Sequence, residues 1–375
     1  MISSNLPNGL LFPGLRDLIW AFQPHILPFY RLFLSPRLTY LSLSYFPLSA
    51  AGERDEVISS IASVILELDT FPLRSFRLNC PPPIQANRSL KSAASSAVLR
   101  CGPSLESLAV RMILSDAAVR HIMQLPNLTA WRPMDGPPKA PDLSPCDAFP
   151  KLKTLWLESE VSLQWLPFFA ATARRIPSGE SSNMPSNRGP ISRLTTLTAW
   201  PEVPVDTTFI SPIMQFRMLV KLALRSSCSS MGDECTFSLT DGDIEEIATA
   251  LPRLNDASFG RICPANSCRT TVSSLVSFST HCQNLARLEI HFSTTNLCDD
   301  LEFVSADPRL DKLPSLPGRA PFVLLLSDVP ISISKEDIRP VVTGFRRIFP
   351  SLEEIRGNRN SPALEELNAR LVYED

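Results

Sequence analysis

One short phrase recurs eleven times along the 375-residue chain, with apolar residues at its first, fourth and usually sixth positions. Its clearest instance is Leu38-Thr39-Tyr40-Leu41-Ser42-Leu43. The others begin at Leu15, Leu73, Leu105, Leu128, Leu152, Leu194, Leu219, Leu254, Leu285 and Leu352. A unit of this size cannot bury its apolar side alone, so neighbouring units must share one core. We therefore expect a single repeat array over residues 1–375, with recognisable repeats over residues 11–358.

The end of each phrase alternates apolar and polar residues, which is typical of a short β-strand with one buried face. Helical patterns fill the intervals, at 56–66, 115–123, 240–248 and 334–348. Strand-helix-strand steps with short connections give parallel strands and right-handed crossovers. The predicted fold is an α/β solenoid, a right-handed arc with parallel strands on the concave face and helices on the convex face. It would hold 11–12 irregular repeats, including a degenerate one at Phe322–Leu326.

The intervals between phrases are uneven, because most first leucines lie 23 to 42 residues apart but one gap is 67 residues long. Long intervals are rich in Pro, Gly and Ser, which favour loops over regular elements. We predict loop insertions at 132–150, 226–238 and 305–320, and a disordered insertion at 177–190. The chain also contains 35 prolines, many beside a phrase, where proline can stop a helix and start an extended segment.

The net charge and the hydropathy of the sequence argue against a nucleic-acid-binding protein and against a membrane protein. The formal net charge of −2 lacks the broad basic footprint of a general nucleic-acid binder. No apolar stretch approaches the roughly 20 residues needed to cross a bilayer, and the first residues do not form a secretory signal. We therefore expect a cytoplasmic or nuclear protein that binds neither nucleic acid nor membrane.

Motifs for catalysis are missing from the sequence, which lacks a glycine-rich phosphate loop, a G-x-S-x-G elbow and an H-E-x-x-H helix. We expect no enzymatic activity, no catalytic residue and no cofactor. One alternative stays open, a metal-dependent or nucleophilic enzyme built on Cys263, Cys268, His281, Cys282 and His291. Its spacing departs from the paired C-x2-C pattern of zinc sites, and scattered cysteines more often pack than bind metal.

The phrase followed by a helix resembles the leucine-rich repeat of intracellular proteins. More narrowly, residues 239–254, 279–292 and 348–355 are similar to fungal, basidiomycete-type F-box/leucine-rich-repeat proteins. The resemblance implies a protein-protein interaction module, the substrate-recognition repeat region of an F-box-like ubiquitin-ligase receptor. In that family an F-box ahead of the repeats docks the SCF adaptor, whereas here the first phrase already begins at Leu15. Adaptor binding is thus expected only if an F-box is missing from this chain. The alternative is a leucine-rich-repeat scaffold or decoy with no link to a ubiquitin ligase.

The residues that flank the inward leucines should point to the concave face, since side chains alternate along a strand. Tryptophan and arginine are enriched at the energetic centres of interfaces, so we expect them to bind a protein partner of unknown identity. The predicted partner-binding residues are Arg77, Arg111, Arg132, Trp156, Trp200, Lys221, Arg225, Arg287 and His291. The opposing interpretation is that insertion loops cover the two tryptophans.

Overall fold

A computed structural model describes most of the chain, which forms two compact units, Met1–Arg193 (unit 1) and Leu194–Asp375 (unit 2). The described residues are 10–22, 24–45, 54–81, 87–134, 136–137, 148–173, 193–201, 205–225, 237–260, 269–292, 297–312, 321–326, 336–357 and 362–373. Strands and helices alternate in each unit, and the predicted α/β leucine-rich-repeat architecture is confirmed.

Unit 1 contains six described strands and a layer of helices. The strands are β1 (Asp17–Phe22), β2 (Tyr40–Tyr45), β3 (Ser75–Asn79), β4 (Ser107–Val110), β5 (Ala130–Arg132) and β6 (Thr154–Leu157). The α-helices are α1 (Arg54–Leu66), α2 (Arg88–Arg100), α3 (Asp116–Gln124), α4 (Glu160–Leu163) and α5 (Trp165–Ala173). Segments of 3-10 helix lie at Pro24–Phe33 and Glu67–Thr70.

The strands of unit 1 pair in parallel and in chain order, so equivalent positions of successive phrases lie side by side. Leu41 is opposite Phe76, and Phe76 is opposite Leu108. All three side chains are buried against the helices, which pack α1 on α2 and α2 on α3. The register is fixed by burial, because a shift of one residue would turn the entire apolar row towards solvent.

An aromatic cluster forms the core next to β5, where Trp131 occupies the phrase position that a leucine fills in most other repeats. Its ring centroid lies 4.8 Å from that of Phe149 and 4.7 Å from that of Trp165. Phe169 extends the cluster, 5.5 Å from Phe149. Large buried rings that meet edge to face contribute beyond their buried area, so this cluster stabilises the core of unit 1 around β5.

Unit 2 repeats the plan with six described strands. They are β7 (Thr196–Ala199), β8 (Lys221–Leu224), β9 (Asp256–Phe259), β10 (Arg287–Ile290), β11 (Phe322–Leu326) and β12 (Leu352–Arg356). The α-helices are α6 (Thr207–Ile210), α7 (Asp241–Ala250), α8 (Ser273–His281), α9 (Leu297–Ser305), α10 (Ile338–Ile348) and α11 (Pro362–Tyr373). Ile213–Gln215 and Leu310–Lys312 are short 3-10 helices.

The strands of unit 2 are likewise parallel and in chain order from β7 to β12. The degenerate repeat predicted at Phe322–Leu326 is confirmed as β11. Its register with β12 shifts between Phe322 and Val323, which fits the uneven spacing of the sequence in this region. Beside β9, Gly260 adopts a φ of 86°, a left-handed conformation that side-chain-bearing residues rarely adopt.

Helix starts follow the capping residues that the sequence provides. Asn87 accepts a hydrogen bond from the backbone of Leu90 at the start of α2, and Ser115 does the same for α3. Thr240 and Asp243 form a reciprocal capping box at the start of α7. The predicted helix at 334–348 begins later than expected, at Ile338, and residues 327–335 lie outside the described residues.

Two side chains of unit 2, those of Asp241 and Asn368, form hydrogen bonds that connect one element of the unit to another. Asp241, in the first turn of α7, accepts hydrogen bonds from the backbone and hydroxyl of Thr271 and from the hydroxyl of Ser274. At the other end of the unit, Asn368 of α11 accepts from the backbone N–H of Ile355 at 2.8 Å and donates to its carbonyl at 2.7 Å. The side-chain amide thereby occupies hydrogen-bonding groups that an additional strand would use.

The predicted insertions are described only in part. Within 132–150, Arg132 is the last residue of β5, and Ala148 and Phe149 are buried. Within 305–320, Ser305 ends α9 and a 3-10 helix follows at Leu310–Lys312. Within 226–238, Phe237 forms an isolated bridge with Val205. The insertion predicted at 177–190 lies outside the described residues.

Candidate functional site

The open face of each unit, meaning the sheet face that points away from the helices, carries the residues that alternate with the buried leucines. In unit 1 the middle row of this face runs from β3 to β5 as Arg77, Ala109 and Arg132, since Arg77 is opposite Ala109 and Ala109 is opposite Arg132. Trp156 occupies the corresponding position of β6 and is half-buried. Parallel strands about 4.8 Å apart thus hold these side chains in a fixed order.

A three-residue ionic cluster lies next to this row. The carboxylate of Glu158, directly after β6, accepts hydrogen bonds through one oxygen, Oε2, from both Arg111 and Arg132. The Arg111 distance is 2.9 Å. Arg111 also donates through Nη1 to Oδ1 of Asn79 at 3.2 Å. Only 5% of the Glu158 side chain is exposed, so this carboxylate is a buried anchor and not a surface charge.

Arg77 has a different environment. It is exposed, and its guanidinium lies 5.8 Å from the ring centroid of Tyr40 on the neighbouring strand. Within the described part of the chain it makes no ion pair. A cation over an aromatic face contributes about 0.5–1 kcal/mol at an exposed site, so this contact orients Arg77 without neutralising it.

The open face of unit 2 alternates charges along its first row. Lys221 of β8 forms an ion pair with Asp256 of β9, with Nζ 2.5 Å from Oδ2. Arg287 of β10 is opposite Asp256 in the sheet register and is exposed. The positive charge of Lys221 is thus neutralised by Asp256, whereas Arg287 has no ion pair among the described residues.

Three further predicted residues follow strands of unit 2. Trp200 comes after β7 and is 39% exposed, and Arg225 comes after β8 and is exposed. His291 comes after β10, where its carbonyl accepts a hydrogen bond of 2.5 Å from the hydroxyl of Thr270. Burial lowers the pKa of the His291 imidazole below its usual value of 6.5, which favours the neutral ring at pH 7. Trp200 and Arg225 are the more accessible of the three.

Sequence reasoning did not assign binding or positioning roles to several carboxylates on these faces. Glu158 and Asp256 are the partners of predicted cationic residues, and Glu289 accepts a hydrogen bond of 2.8 Å from the hydroxyl of Ser258. Aligning the phrases places Asp256 directly beside Lys221, so that pair could have been found from sequence. The Arg111–Glu158 contact joins residues after β4 and β6, with β5 between them, and side-by-side alignment does not reveal it.

The cysteine and histidine alternative has no assembled site in the described structure. Cys282 is buried, and its Sγ lies 3.7 Å from the carbonyl of Ala248 and 3.6 Å from that of Leu251. Burial raises the pKa of this thiol to about 12, which disfavours the nucleophilic thiolate. Across the described ranges no group of three His, Cys, Asp or Glu residues is arranged to hold a metal ion. Cys263 and Cys268 lie outside those ranges.

Helices of the described chain are too short or too polar to span a bilayer. No family model matches the chain, and no curated protein matches it. Among solved structures it is similar to a chain of the crystal structure of the mouse RP105/MD-1 complex, with 11% sequence identity and a TM-score of 0.32. The match covers 94% of this chain and 62% of the other chain, so this chain spans less than two thirds of the length of the chain it matches. The fold assignment rests on the strand order and register described above.

Proposed function

We propose that the chain is a protein-protein interaction module and that a partner protein binds the open faces of its sheets. The observation that carries this proposal is the ordered row on unit 1, in which strand register places Arg77, Ala109 and Arg132 side by side. Trp156 occupies the corresponding position of β6. A rigid sheet loses little entropy when it binds, and tryptophan and arginine are the side chains that contribute most at interface centres.

The finer proposal is that this module is the substrate-recognition repeat region of an F-box-like ubiquitin-ligase receptor that acts in the cytoplasm or nucleus without being an enzyme itself. It rests on the similarity of residues 239–254, 279–292 and 348–355 to fungal F-box/leucine-rich-repeat proteins. An SCF adaptor would then bind an F-box and not the repeats. A scaffold or decoy would use the same open faces and would have no connection to the adaptor.

Affinity capture with the full chain tests partner binding. We expect Trp156→Ala and Trp200→Ala, made singly and together, to deplete specific partners, since loss of a hot-spot tryptophan weakens binding by roughly 30-fold or more. Phe303→Ala is the matched control, because Phe303 is an 81% exposed aromatic residue on α9, in the helix layer. Folded variants that capture the same partners as the unaltered chain would contradict the assignment of the open faces.

Two further measurements separate the alternatives. Capture of the SCF adaptor together with the partner would support the ubiquitin-ligase role, whereas a partner recovered without the adaptor favours a scaffold or decoy. Metal analysis of the purified protein addresses the enzyme alternative. Stoichiometric zinc that is lost in a Cys263→Ser/Cys268→Ser variant would show that these cysteines bind metal, and an activity that requires this zinc would overturn the non-enzymatic proposal.

A further inference from the structure

We propose that unit 1 binds an oxyanion of its partner, the side chain of an aspartate, glutamate or phosphorylated residue, in a notch formed by Arg77, Arg111 and Arg132 around Ala109. This inference rests on the proposed function, because it names the chemistry of the segment that the open face of unit 1 would recognise. We call this site the Ala109 notch.

The register of the sheet gives the notch its shape. Arg77 and Arg132 flank Ala109 on the two adjacent strands, so their Cα atoms are about 10 Å apart, with only a methyl group between them. Arg111 lies two residues after Ala109 and therefore points to the same side of the sheet. Three long cationic side chains thus border the shortest side chain of the row, which leaves room for an incoming group.

The charge of the notch is unbalanced. Three guanidinium groups border it, and Glu158 is the only carboxylate in direct contact with them among the described residues. Both Arg111 and Arg132 use Nη2 to bind the same oxygen of Glu158. Among the described residues, two of the three positive charges therefore have no carboxylate partner, and like charges held this close repel each other. A bound anion would relieve that repulsion.

Unused hydrogen-bond donors point to the same conclusion. The Nε atoms of Arg111 and Arg132 are buried and have no hydrogen-bond partner. A buried donor without a partner costs stability, and charged donors cost more than neutral ones. Arginine presents its N–H groups in a planar fork that fits carboxylate and phosphate oxygens. These Nε atoms are themselves shielded, but about a third of each side chain is exposed and Glu158 uses only Nη2 of each, so further N–H groups of the two guanidinium groups are available to an oxyanion.

Apart from Glu158, the described acid on the strand side that lies closest in sequence to Ala109 is Glu106, just before β4, and its carboxylate already lies 3.8 Å from Arg74. Asp17 lies in β1, and its row runs through Tyr40 to Ser75 at the start of β3, two strands away. Neighbours of the notch on β3, Ser75 and Asn79, are uncharged. An acidic peptide that crosses β3 to β6 therefore meets net positive charge, which favours a short acidic segment of a partner protein.

The test measures binding of fluorescein-labelled peptides to the full chain by anisotropy. One peptide carries four consecutive glutamates between glycines, the second replaces them with glutamines, and the third carries phosphoserines. We expect the glutamate peptide to bind at least tenfold more tightly than the glutamine peptide and to weaken as salt is raised. Tighter binding of the phosphoserine peptide would identify phosphate as the source of the oxyanion, and equal or weaker binding would identify carboxylate.

Arg77→Ala is the primary variant, because Arg77 makes no hydrogen bond to Glu158 and its loss leaves no buried acid unpaired. We expect it to weaken binding of the glutamate peptide by about tenfold, as for loss of a charge-assisted hydrogen bond. Arg132→Lys keeps the charge, removes the fork, and should weaken binding less. The control Arg88→Ala removes the same charge from the exposed start of α2 and should change nothing.

Two results would overturn the notch: equal affinity for the glutamate and glutamine peptides, or unaltered binding by the Arg77→Ala variant. These are distinguishable from failure of the proposed function. A partner whose capture depends on Trp156 but not on Arg77 would leave the open face as the interface and remove only the notch. A partner whose capture depends on neither residue would remove both.

Discussion

Glu158→Gln should destabilise unit 1 more than any other single neutralisation of an acid on its open face. The substitution keeps the size of the side chain but removes the charge to which two guanidinium groups are bonded. Hydrogen bonds to charged groups contribute about 1.5–3 kcal/mol each, and glutamine retains a weaker neutral acceptor. The loss is partly offset because 34% of the Arg111 side chain and 30% of the Arg132 side chain are exposed to water.

The expected loss is about 2 kcal/mol of unfolding free energy, below the 3–5 kcal/mol typical of a fully buried pair that loses one partner. For a unit of this length, such a loss corresponds to a decrease of roughly 4–8 °C in melting temperature. Urea denaturation followed by tryptophan fluorescence is a suitable assay. Four of the five tryptophans belong to unit 1, and Trp131 precedes Arg132 in β5.

The matched control is Glu106→Gln, on the strand side of the same unit. Glu106 is 51% exposed and lies 3.8 Å from Arg74, so its neutralisation should cost no more than about 0.5 kcal/mol. A double-mutant cycle with Arg132→Gln should then give a coupling energy of about 1 kcal/mol. Equal effects of Glu158→Gln and Glu106→Gln, or a coupling near zero, would refute the view that Glu158 is a buried anchor.

Three predictions concern unit 2. Asp241→Asn should lower the unfolding free energy of unit 2 by about 2 kcal/mol, and its urea midpoint with it, because it disrupts the hydrogen bonds that join α7 to the start of α8. An unchanged midpoint would show that water replaces these hydrogen bonds. The lowered pKa of His291 means that the unfolded chain takes up a proton more readily below about pH 6.5. Stability is therefore lost as pH falls from 7 through the folded-state pKa, and His291→Gln should make the pH dependence of the midpoint shallower; identical profiles would contradict this. Asn368→Ala should speed hydrogen exchange at the Ile355 amide without altering exchange in β8, and unchanged exchange at Ile355 would exclude a protective role for the amide.

The sequence was sufficient for the repeating elements because each phrase carries its own boundary and its own buried face. Leu38 to Leu43 predicts a strand with one apolar side, and the capping residue Thr240 predicts where α7 begins. Even the degenerate phrase at Phe322–Leu326 is recognisable, since five consecutive apolar residues at the expected interval predict a buried strand. Local chemistry determines all of these features, and no distant contact is needed to infer them.

The sequence does not show in the same way which charged residues of the open face already form ion pairs with each other. Arg111 and Arg132 were selected as partner-binding residues because they point outward, but orientation does not reveal what a side chain already binds. Their contact with Glu158 depends on side chains long enough to reach across β5 and on burial that removes water from the carboxylate. The partner-binding roles of all nine selected residues stay predictions, and the structure shows only which of them are compensated.

Glu158 has two opposite effects on the Ala109 notch, and their balance explains why a buried acid can support an anion site. By neutralising one positive charge it reduces the attraction for an acidic partner. By binding Arg111 and Arg132 it also holds two flexible side chains in place, and immobilising such a side chain on binding costs about 0.5–1.5 kcal/mol. Among the described residues, three arginines against one glutamate still leave net positive charge at the notch, so the notch retains attraction while much of the ordering has already occurred in the free protein. An arginine cluster without the carboxylate would carry more charge, but its side chains would repel each other and point in different directions until a partner arrived.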